Sequence, residues 1–481
     1  MNIRSIFFCL QNEISSTNTD GDLDNKKTLS KKNGNQTFQV LLTINVCLLT
    51  MGFGAADSWP SPAIPHLESE NSQIPVTMNQ GAWIVSIFNF GGAFGFILCP
   101  ILVDRLGRKR TLLFFAMPQI ISWILIILAK HVYILYIARF ISGIGYWACF
   151  NITTIYLGEV ANKNIRGTLI NITSASFNFG AVICVTCGAF LHYNYMNLIL
   201  LIIPLMFNIT FTLIPESPYF YIQKKEYQKA AECLVKLHGT NNVQYLELEI
   251  ERINRVLIDV ENCKKNVFRD LYTKHRRAFL IVFVLKLGYV FSGVAPITSY
   301  MQEILSYSNF SLSPQYSTIV LMIVIFLFSM TVSPLIDLLD RRTWTIGCGI
   351  ICSLSLVIIG LFFFMKFYLK IDVSLYSWFP LVALISFNMS GCLGIFIMPT
   401  ILASEVFPME VKSVALCFVD IIKTFSMFLV KLFFKNFANT FGFYSVFWAF
   451  SFANITLSLI AFFIMPETRG KTLEQVQLLL S

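Results

Sequence analysis

Charged side chains are scarce in this chain. Asp, Glu, Lys and Arg make up 13% of its 481 residues, whereas soluble proteins carry about 25%. Hydrophobic residues reach 56%, and 46 residues are Phe. Soluble domains cannot bury that much apolar surface in their cores. The composition therefore excludes a soluble enzyme, a secreted scaffold and a nucleic-acid binder, and it predicts a protein that crosses a membrane many times.

Residue patterns for chemical catalysis are also missing. The sequence contains no nucleophile–base constellation, no glycine-rich phosphate loop and no His or Cys spacing that fits zinc. Among its twelve Cys, the pair Cys184-x-x-Cys187 lies in an apolar stretch, where packing is a better explanation than metal or redox chemistry. We therefore expect a protein that is not an enzyme and that holds no metal and no cofactor.

Twelve apolar runs are long enough to cross about 30 Å of hydrocarbon. Each must be a helix, because hydrocarbon offers no hydrogen-bond partners for free backbone groups. Residues 1–37 are predicted to be a disordered tail, and residues 467–481 form a second tail. We number the runs as spans 1 to 12, predicted at 38–56, 81–103, 111–129, 132–158, 167–191, 193–215, 278–301, 316–336, 343–365, 375–404, 413–430 and 441–465.

Basic residues are distributed unequally between the two sides of these spans. The tails and the loops after even-numbered spans hold 28 Lys and Arg residues, and the opposite side holds five, including Lys431 and Lys435. Since basic loops stay in the cytoplasm, both termini are predicted to be cytoplasmic. The net charge of +9 then reflects topology and gives no evidence for a nucleic-acid partner. Asn309-Phe310-Ser311 is the glycosylation sequon on a predicted outer loop.

The longest loop, residues 216–277, divides the spans six and six, and its amphipathic stretches predict short cytoplasmic helices. Residues 38–215 and 278–466 are thus two predicted bundles, and charged motifs recur in them in the same order. Such a duplicated six-helix body is the architecture of a rocking transporter, with its solute site between the halves. The repeated pairs are Asp104-x-x-x-Arg108 with Asp337-x-x-x-Arg341, Glu159 and Arg166 with Glu405 and Lys412, and Pro215-Glu216-Ser217 with Pro466-Glu467-Thr468.

All of these motifs lie at helix ends on the predicted cytoplasmic side. Opposite charges there can bridge neighbouring helices, or the two halves, while the inner side is closed, and inward opening must break those pairs. We interpret them as a gate network. The alternative is a set of solvated interfacial charges, each pair contributing under about 1 kcal/mol.

With these motifs the chain resembles the sugar-porter branch of the major facilitator superfamily, over about residues 38–480. Within that branch it is most similar to the insect facilitated trehalose transporters. The motifs that carry the resemblance are Asp104-Arg105-Leu106-Gly107-Arg108-Lys109, Arg139-x-x-x-Gly143, Tyr156-Leu157-Gly158-Glu159, Arg166-Gly167-Thr168-Leu169, Asn178-x-Gly180, Pro215-Glu216-Ser217-Pro218, Ser292-Gly293 with Tyr300, Pro399 with Glu405-Val406-Phe407-Pro408, Val411-Lys412-Ser413, and Pro466-Glu467-Thr468-Arg469-Gly470-Lys471.

The resemblance implies a monomeric plasma-membrane carrier of a small sugar-like solute that works by alternating access. It also implies that a cytoplasmic charge network closes the inner side. Two residues depart from the pattern of that network, because Asp340 replaces a Gly and Tyr219 replaces an Arg. The implied members are Arg108, Glu159, Arg166, Glu216, Asp337, Arg341, Glu405, Lys412 and Glu467, and we add Asp104 from the repeat.

The sugar-contact positions of the family are mostly replaced. Polar or aromatic family residues give way to Tyr289, Val290, Ala295, Ile325, Thr400, Ile422 and Lys423. Because each hydroxyl left unpaired costs about 1 to 3 kcal/mol, these losses argue against ordinary hexose recognition. The polar residues that remain on the presumed lining helices are the predicted solute contacts, although helix–helix contacts explain the smaller ones equally well. They are Ser174, Asn178, Tyr289, Ser292, Tyr300, Asn388 and Thr400.

Four ionisable residues lie within the predicted spans. Arg139 matches a family Arg that is structural, near the inner end of the bundle. Lys286, Asp420 and Lys423 have no family counterpart, and we predict that Lys286 or Lys423 pairs with Asp420. The favoured interpretation is a buried ion pair that balances itself; the alternative is proton coupling, or binding of a charged solute, through Asp420.

Three functions remain open at this point. The first is facilitated transport of a small sugar, either trehalose-like or a hexose. The second is a proton-coupled carrier of a less hydroxylated solute. The third is a non-transporting receptor or sensor built on the carrier fold, which the short tail after residue 466 disfavours.

Overall fold

The computed structural model describes residues 36–70, 72–161, 166–239, 242–263, 271, 274–336, 340–407, 409–467 and 475. Eleven helices in this part of the chain are long and apolar enough to cross a membrane. The one predicted span outside these eleven is span 11, which corresponds to the 33-residue helix Met409–Phe441 and carries Asp420, Lys423, Lys431 and Lys435. The predicted tails fall almost entirely outside the described residues.

The first six spans form one bundle. Span 1 is the helix Gln36–Ser58, which Pro60–Leu67 continues toward the next loop. Pro60, Pro62 and Pro65 all lie in this short helix, whose first position tolerates Pro because its N–H has no helical partner. Spans 2 to 6 are Met78–Leu106, Arg108–Leu128, Val132–Val160, Arg166–Phe190 and Tyr193–Phe211.

In its described residues the linker contains three helices, and six spans follow it. The linker helices are Pro218–Gln223, Tyr227–His238 and Val243–Cys263. We call the face that carries them the inner face and the opposite face the outer face. Span 7 is interrupted at Gly293, which has a φ of 88°, and span 10 is interrupted after Leu393. Spans 7 to 12 are Arg276–Phe291 with Val294–Ser299, Pro314–Ile336, Arg341–Phe363, Phe379–Leu393 with Met398–Val406, Met409–Phe441, and Phe443–Ile464.

Span 11 is longer than the sequence prediction, which ended it at residue 430. The prediction placed Lys431 and Lys435 in an outer loop and was wrong, because the helix continues to Phe441. Both side chains are buried, at 0% and 2% exposure. They are tolerated inside the helix bundle because each forms an ion pair there.

Aromatic contacts along two seams join the halves. On one seam, span 2 packs against span 11, and the rings of Phe90 and Phe428 lie 5.2 Å apart. On the other, span 5 packs against span 8, and the rings of Phe179 and Phe326 lie 5.1 Å apart. These seams leave the side chains of spans 4, 7 and 11 to meet at the centre of the molecule, where Trp147 and Tyr289 both contact Lys423.

Candidate functional site

A charged clamp ties the inner ends of spans 3 and 4 to the start of the linker. The Arg108 guanidinium lies 2.7 Å from Glu159 Oε1, and Ser217 Oγ donates a hydrogen bond to the other oxygen of Glu159. Glu216 Oε1 accepts hydrogen bonds of 2.9 Å from the backbone N–H groups of Arg108, Lys109 and Ser217. Because Arg108 begins span 3, this carboxylate also faces the positive end of a helix.

The second half repeats this clamp with its own copies of the motifs. Arg341 Nε lies 3.8 Å from Glu405 Oε1. Glu467 accepts hydrogen bonds of 3.2 Å from the backbone N–H groups of Arg341 and Arg342 at the start of span 9. Motifs that are far apart in the sequence therefore meet at one point in each half.

The contacts of both clamps between described residues lie within a half. They join neighbouring helices, which is one of the two arrangements predicted for the gate network. Asp104 is exposed. Asp337 and the side chains of Arg166 and Lys412 lie outside the described residues, so their predicted roles stay predictions.

Glu216→Gln is expected to destabilise the protein more than Glu467→Gln. Glu216 accepts three backbone hydrogen bonds of 2.9 Å, whereas the described backbone hydrogen bonds to Glu467 are longer, at 3.2 Å, and hydrogen bonds to charged groups contribute about 1.5–3 kcal/mol. We expect Glu216→Gln to lower the free energy of unfolding by about 2 kcal/mol. Thermal unfolding of the purified protein in detergent measures the order, with the exposed linker variant Glu232→Gln as the control. Equal melting temperatures for all three variants would contradict the clamp.

Three charged side chains form a triad in the middle of the second half. Lys286 Nζ lies 2.5 Å from Asp420 Oδ1, and Lys423 Nζ lies 3.5 Å from the same oxygen. The sequence predicted that one of the two lysines pairs with Asp420, but both lie within ion-pair distance. Asp420 is 11 residues into span 11, about 16 Å along the helix axis. The triad therefore lies deep within the membrane-spanning part.

The contacts of Arg139 are those of a structural residue, but the sequence analysis placed it at the wrong depth in span 4. It lies seven residues from the start of span 4, in the outer half of that helix and not near the inner end. The guanidinium donates hydrogen bonds to the backbone oxygens of Ala56, at 2.8 Å, and Ile84, at 3.3 Å. It also lies over the rings of Trp59 and Phe88. Arg139 thus ties span 4 to the outer parts of spans 1 and 2.

Two ion pairs join the halves on the outer side. Lys431 Nζ of span 11 lies 3.1 Å from Asp57 Oδ1 of span 1. One turn further out, Lys435 Nζ lies 2.9 Å from Glu68 Oε1 of the first half. We call these two contacts the outer latch. Between described side chains, all the ion pairs that cross from one half to the other belong to it.

The second part of the latch also includes a carboxylate of the second half. Glu303 Oε2 lies 2.9 Å from Lys435 Nζ, and the ammonium lies over the ring of Tyr300 at 5.1 Å. Burial raises the pKa of the Glu303 carboxyl, and the charge of Lys435 opposes that change. Lys435 thus holds one carboxylate from each half.

Sequence reasoning missed the outer latch, although a pattern for it exists. Asp420, Lys423, Lys431 and Lys435 are spaced by three, eight and four residues, which places them on one face of a helix. Four charges on one face of an apolar run predict a helix that continues past residue 430 toward buried partners. The partners Asp57, Glu68 and Glu303 carry no comparable pattern.

The predicted solute contacts occupy three kinds of environment. Ser174 and Thr400 are exposed, and Asn178 and Tyr289 are half-buried. The side chains of Ser292 and Asn388 donate hydrogen bonds to backbone oxygens of their own helices. Tyr300 is buried beside the outer latch, where its ring stacks on Phe434 at 5.2 Å. Tyr289 lies beside the central charges, with its ring 5.5 Å from Lys423 Nζ.

A cavity of about 430 Å³ opens on the outer side of the molecule. Residues at or near the outer ends of spans 1, 5, 6 and 8 line it, together with Gln302 of the short helix Met301–Ser306. Its polar lining includes His66, His192 and Gln302. The central triad does not contribute to this lining, so the cavity is separate from the central site.

The sequence is similar to that of a known protein family and of individual known proteins. The model of a family described as sugar (and other) transporter matches residues 16–480. Facilitated trehalose transporter Tret1 of Anopheles gambiae is 29% identical over 445 residues, which cover 91% of this chain and 55% of that protein. Tret1 of Apis mellifera ligustica is 27% identical over 450 residues, covering 92% and 88%. The chain spans about half the length of the mosquito relatives it matches.

Solved structures match the fold at lower identity. The proton:xylose symporter XylE bound to 6-bromo-6-deoxy-D-glucose superposes with a TM-score of 0.74 and 20% identity, covering 93% of this chain and 100% of that one. A partially occluded inward open conformation of the xylose transporter XylE from E. coli gives a TM-score of 0.75 and 18% identity, covering 91% and 100%. These similarities confirm the predicted all-α architecture of two six-helix bundles.

Proposed function

Because the chain belongs to the sugar (and other) transporter family and has the major facilitator fold, we propose that it carries a small sugar-like solute across the plasma membrane by alternating access. It acts as a carrier and catalyses no chemical reaction. The relatives named as facilitated trehalose transporters support a trehalose-like sugar or a hexose as the solute class. Facilitated transport, without a coupled ion, is the simplest form of this activity.

The observation that carries the proposal is the contrast between the two faces of the molecule. On the inner face, each half is clamped within itself by the Arg108–Glu159 and Arg341–Glu405 contacts. On the outer face, the halves are joined to each other by the outer latch. Two internally braced bodies, joined by ion pairs that can break, provide the two-state element that alternating access requires.

Aromatic side chains at the centre fit a sugar-sized solute. Phe53 of span 1 contacts Trp147, Phe150 and Phe177, with ring centroids 5.0 to 5.4 Å apart. Aromatic faces pack against the apolar faces of sugar rings, and few polar groups then fix the orientation. We assign the solute contacts to the predicted set, with Tyr289 in the central position and Ser174, Asn178 and Thr400 toward the more accessible regions.

We also propose the cellular setting that the sequence predicts. Both termini lie in the cytoplasm, the protein functions as a monomer, and the lipid bilayer surrounds the exposed apolar side chains. The basic residues of the inner face support this orientation. Asn309 is exposed on an outer loop, which suits a glycan acceptor.

Counterflow in proteoliposomes tests the transport proposal. The purified protein is loaded with trehalose, glucose, xylose or sorbitol, and the entry of the labelled solute is measured without ion gradients. We expect counterflow of at least one sugar and none in liposomes without protein. If a folded preparation carries none of the panel, with or without a pH gradient, the sugar proposal is wrong.

A second candidate is a proton-coupled carrier, and it rests on the intramembrane carboxylate of Asp420. Its position between two ammonium groups favours a fixed ion over a proton acceptor, because the lysines already compensate its charge. Facilitated transport therefore predicts solute uptake that does not respond to a pH gradient. If wild-type uptake depends on pH and Asp420→Asn abolishes that dependence, the coupled carrier replaces it.

A further inference from the structure

The central triad carries one more positive charge than negative charge. Lys286 and Lys423 share a single carboxylate, and both contact the same oxygen of Asp420. A charge without a partner at this depth costs several kcal/mol. An anion close to the triad would therefore balance its surplus positive charge.

The ionised groups further out along the same helices do not supply that anion. Next to the triad on the outer side, the outer latch, Arg139 and Glu303 together contribute three basic and three acidic side chains, so these six groups balance one another. Lys431 and Lys435 bind their carboxylates at 3.1 and 2.9 Å. The six groups are those of Arg139, Lys431, Lys435, Asp57, Glu68 and Glu303.

Lys423 is the member of the triad that contacts both halves. The side chain of Lys286 is 6% exposed and makes the shorter contact with Asp420, whereas that of Lys423 is 16% exposed and makes the longer one. The Lys423 ammonium lies 5.3 Å from the ring of Trp147 in the first half and 5.5 Å from that of Tyr289 in the second. A solute held between the halves would meet this group.

The surroundings of Lys423 also contain an unpaired donor. Trp147 is 6% exposed, and its Nε1 has no hydrogen-bond partner within the described part of the chain. An ammonium and an indole N–H both require acceptors. Ser292 and Asn388, predicted to read solute hydroxyls, instead bond to backbone oxygens. The centre therefore suits a ligand with a negative group and an apolar face better than one with hydroxyl groups alone.

We propose that Lys423 binds the carboxylate of a sugar-sized monoanion, so that sugar acids belong to the solute class of this protein. A single negative charge neutralises the triad, whereas a phosphate dianion would reverse its sign. Asp420 stays paired with Lys286 while Lys423 turns to the solute. This inference rests on the proposed function, because it assumes that a solute occupies the central space.

D-glucuronate and D-glucose test the proposal because they differ only in the group at one carbon. Binding is measured as thermal stabilisation of the purified full chain, with sodium chloride added to match ionic strength. We expect glucuronate to bind at least tenfold more tightly than glucose. Lys423→Met should reduce the preference for glucuronate over glucose at least tenfold, and Lys423→Arg should restore that preference. Lys423→Gln provides a second neutral variant if Lys423→Met does not fold.

The outcomes separate this inference from the proposed function. If glucuronate binds no more tightly than glucose, if sodium chloride alone stabilises equally, or if the neutral variants bind glucuronate normally, the anion site is overturned, and counterflow of a neutral sugar would leave the carrier proposal standing. Conversely, Lys423-dependent binding of glucuronate in a protein that transports neither compound supports the site and removes the carrier proposal.

Discussion

Replacing Lys431 with Met is expected to open the outer side of the protein and to slow transport at least tenfold. Lys431 is fully buried and pairs with Asp57 across the boundary between the halves. Removing one partner of a buried ion pair costs about 3–5 kcal/mol, because the remaining charge is left uncompensated. Only the outer-closed state contains this pair, so the cost falls on that state. A change of this size moves a two-state population by at least two orders of magnitude.

Cysteine labelling measures this shift. Ser61 is buried on the outer side, where its hydroxyl accepts a hydrogen bond from the backbone N–H of Gln302 in the other half. A membrane-impermeant maleimide should label Ser61→Cys faster when Lys431→Met is also present. Lys130→Met is the control, because Lys130 is exposed on the same face. Native cysteines give the background, measured in protein that keeps Ser61.

The double variant Asp57→Asn/Lys431→Met distinguishes the ion pair from simple loss of packing. It removes the stranded carboxylate together with its partner, so most of the cost of a buried unpaired charge disappears. We expect slower labelling of Ser61→Cys in the double variant than in Lys431→Met alone. Equal labelling of the wild-type and Lys431→Met backgrounds would show that this pair does not hold the outer side closed.

The helices could be predicted because they depend on local sequence. The inner clamps could be predicted because their residues recur in both halves. Apolar runs specify the spans wherever hydrocarbon demands internal hydrogen bonding. The clamp residues Arg108, Glu159 and Glu216 stood out because Arg341, Glu405 and Glu467 repeat them. Duplication thus draws attention to residues whose contacts one copy alone would leave ambiguous.

The outer latch and the shape of the triad could not be derived in the same way. Asp57, Glu68 and Glu303 have no repeated counterparts, and their partners lie 132 to 374 positions away. Which lysine meets Asp420 depends on the rotation of span 7 against span 11, and side-chain packing sets that rotation. From residue spacing alone, the sequence could predict only that Lys286 or Lys423 pairs with Asp420. The packing partners of the glycines in the first half could not be predicted either, because a Gly in an apolar run does not show which residue it packs against.

Gly180→Ala is expected to be among the most destabilising single substitutions in the chain. Spans 1 and 5 approach so closely that a Cβ on Gly180 would lie 1.8 Å from the backbone oxygen of Met51, and one on Gly54 would lie 1.8 Å from that of Phe177. Small residues allow such backbone contact between membrane helices. Backbone cannot rotate away as a side chain can, so we expect the loss to exceed the roughly 1–3 kcal/mol that overpacking usually costs.

Alanine substitutions at three further glycines serve as reference points for the melting temperature of Gly180→Ala. Gly158→Ala and Gly347→Ala add a methyl group that meets no atom within 4 Å and should unfold at the wild-type temperature. Gly349→Ala would meet the hydroxyl of Ser458, which can turn aside, so its melting temperature should fall between theirs and that of Gly180→Ala. The same order should hold for the fraction of folded protein recovered in detergent. If Gly180→Ala unfolds with Gly158→Ala, spans 1 and 5 are further apart than described, and the first half is less rigidly packed than a rocking body requires.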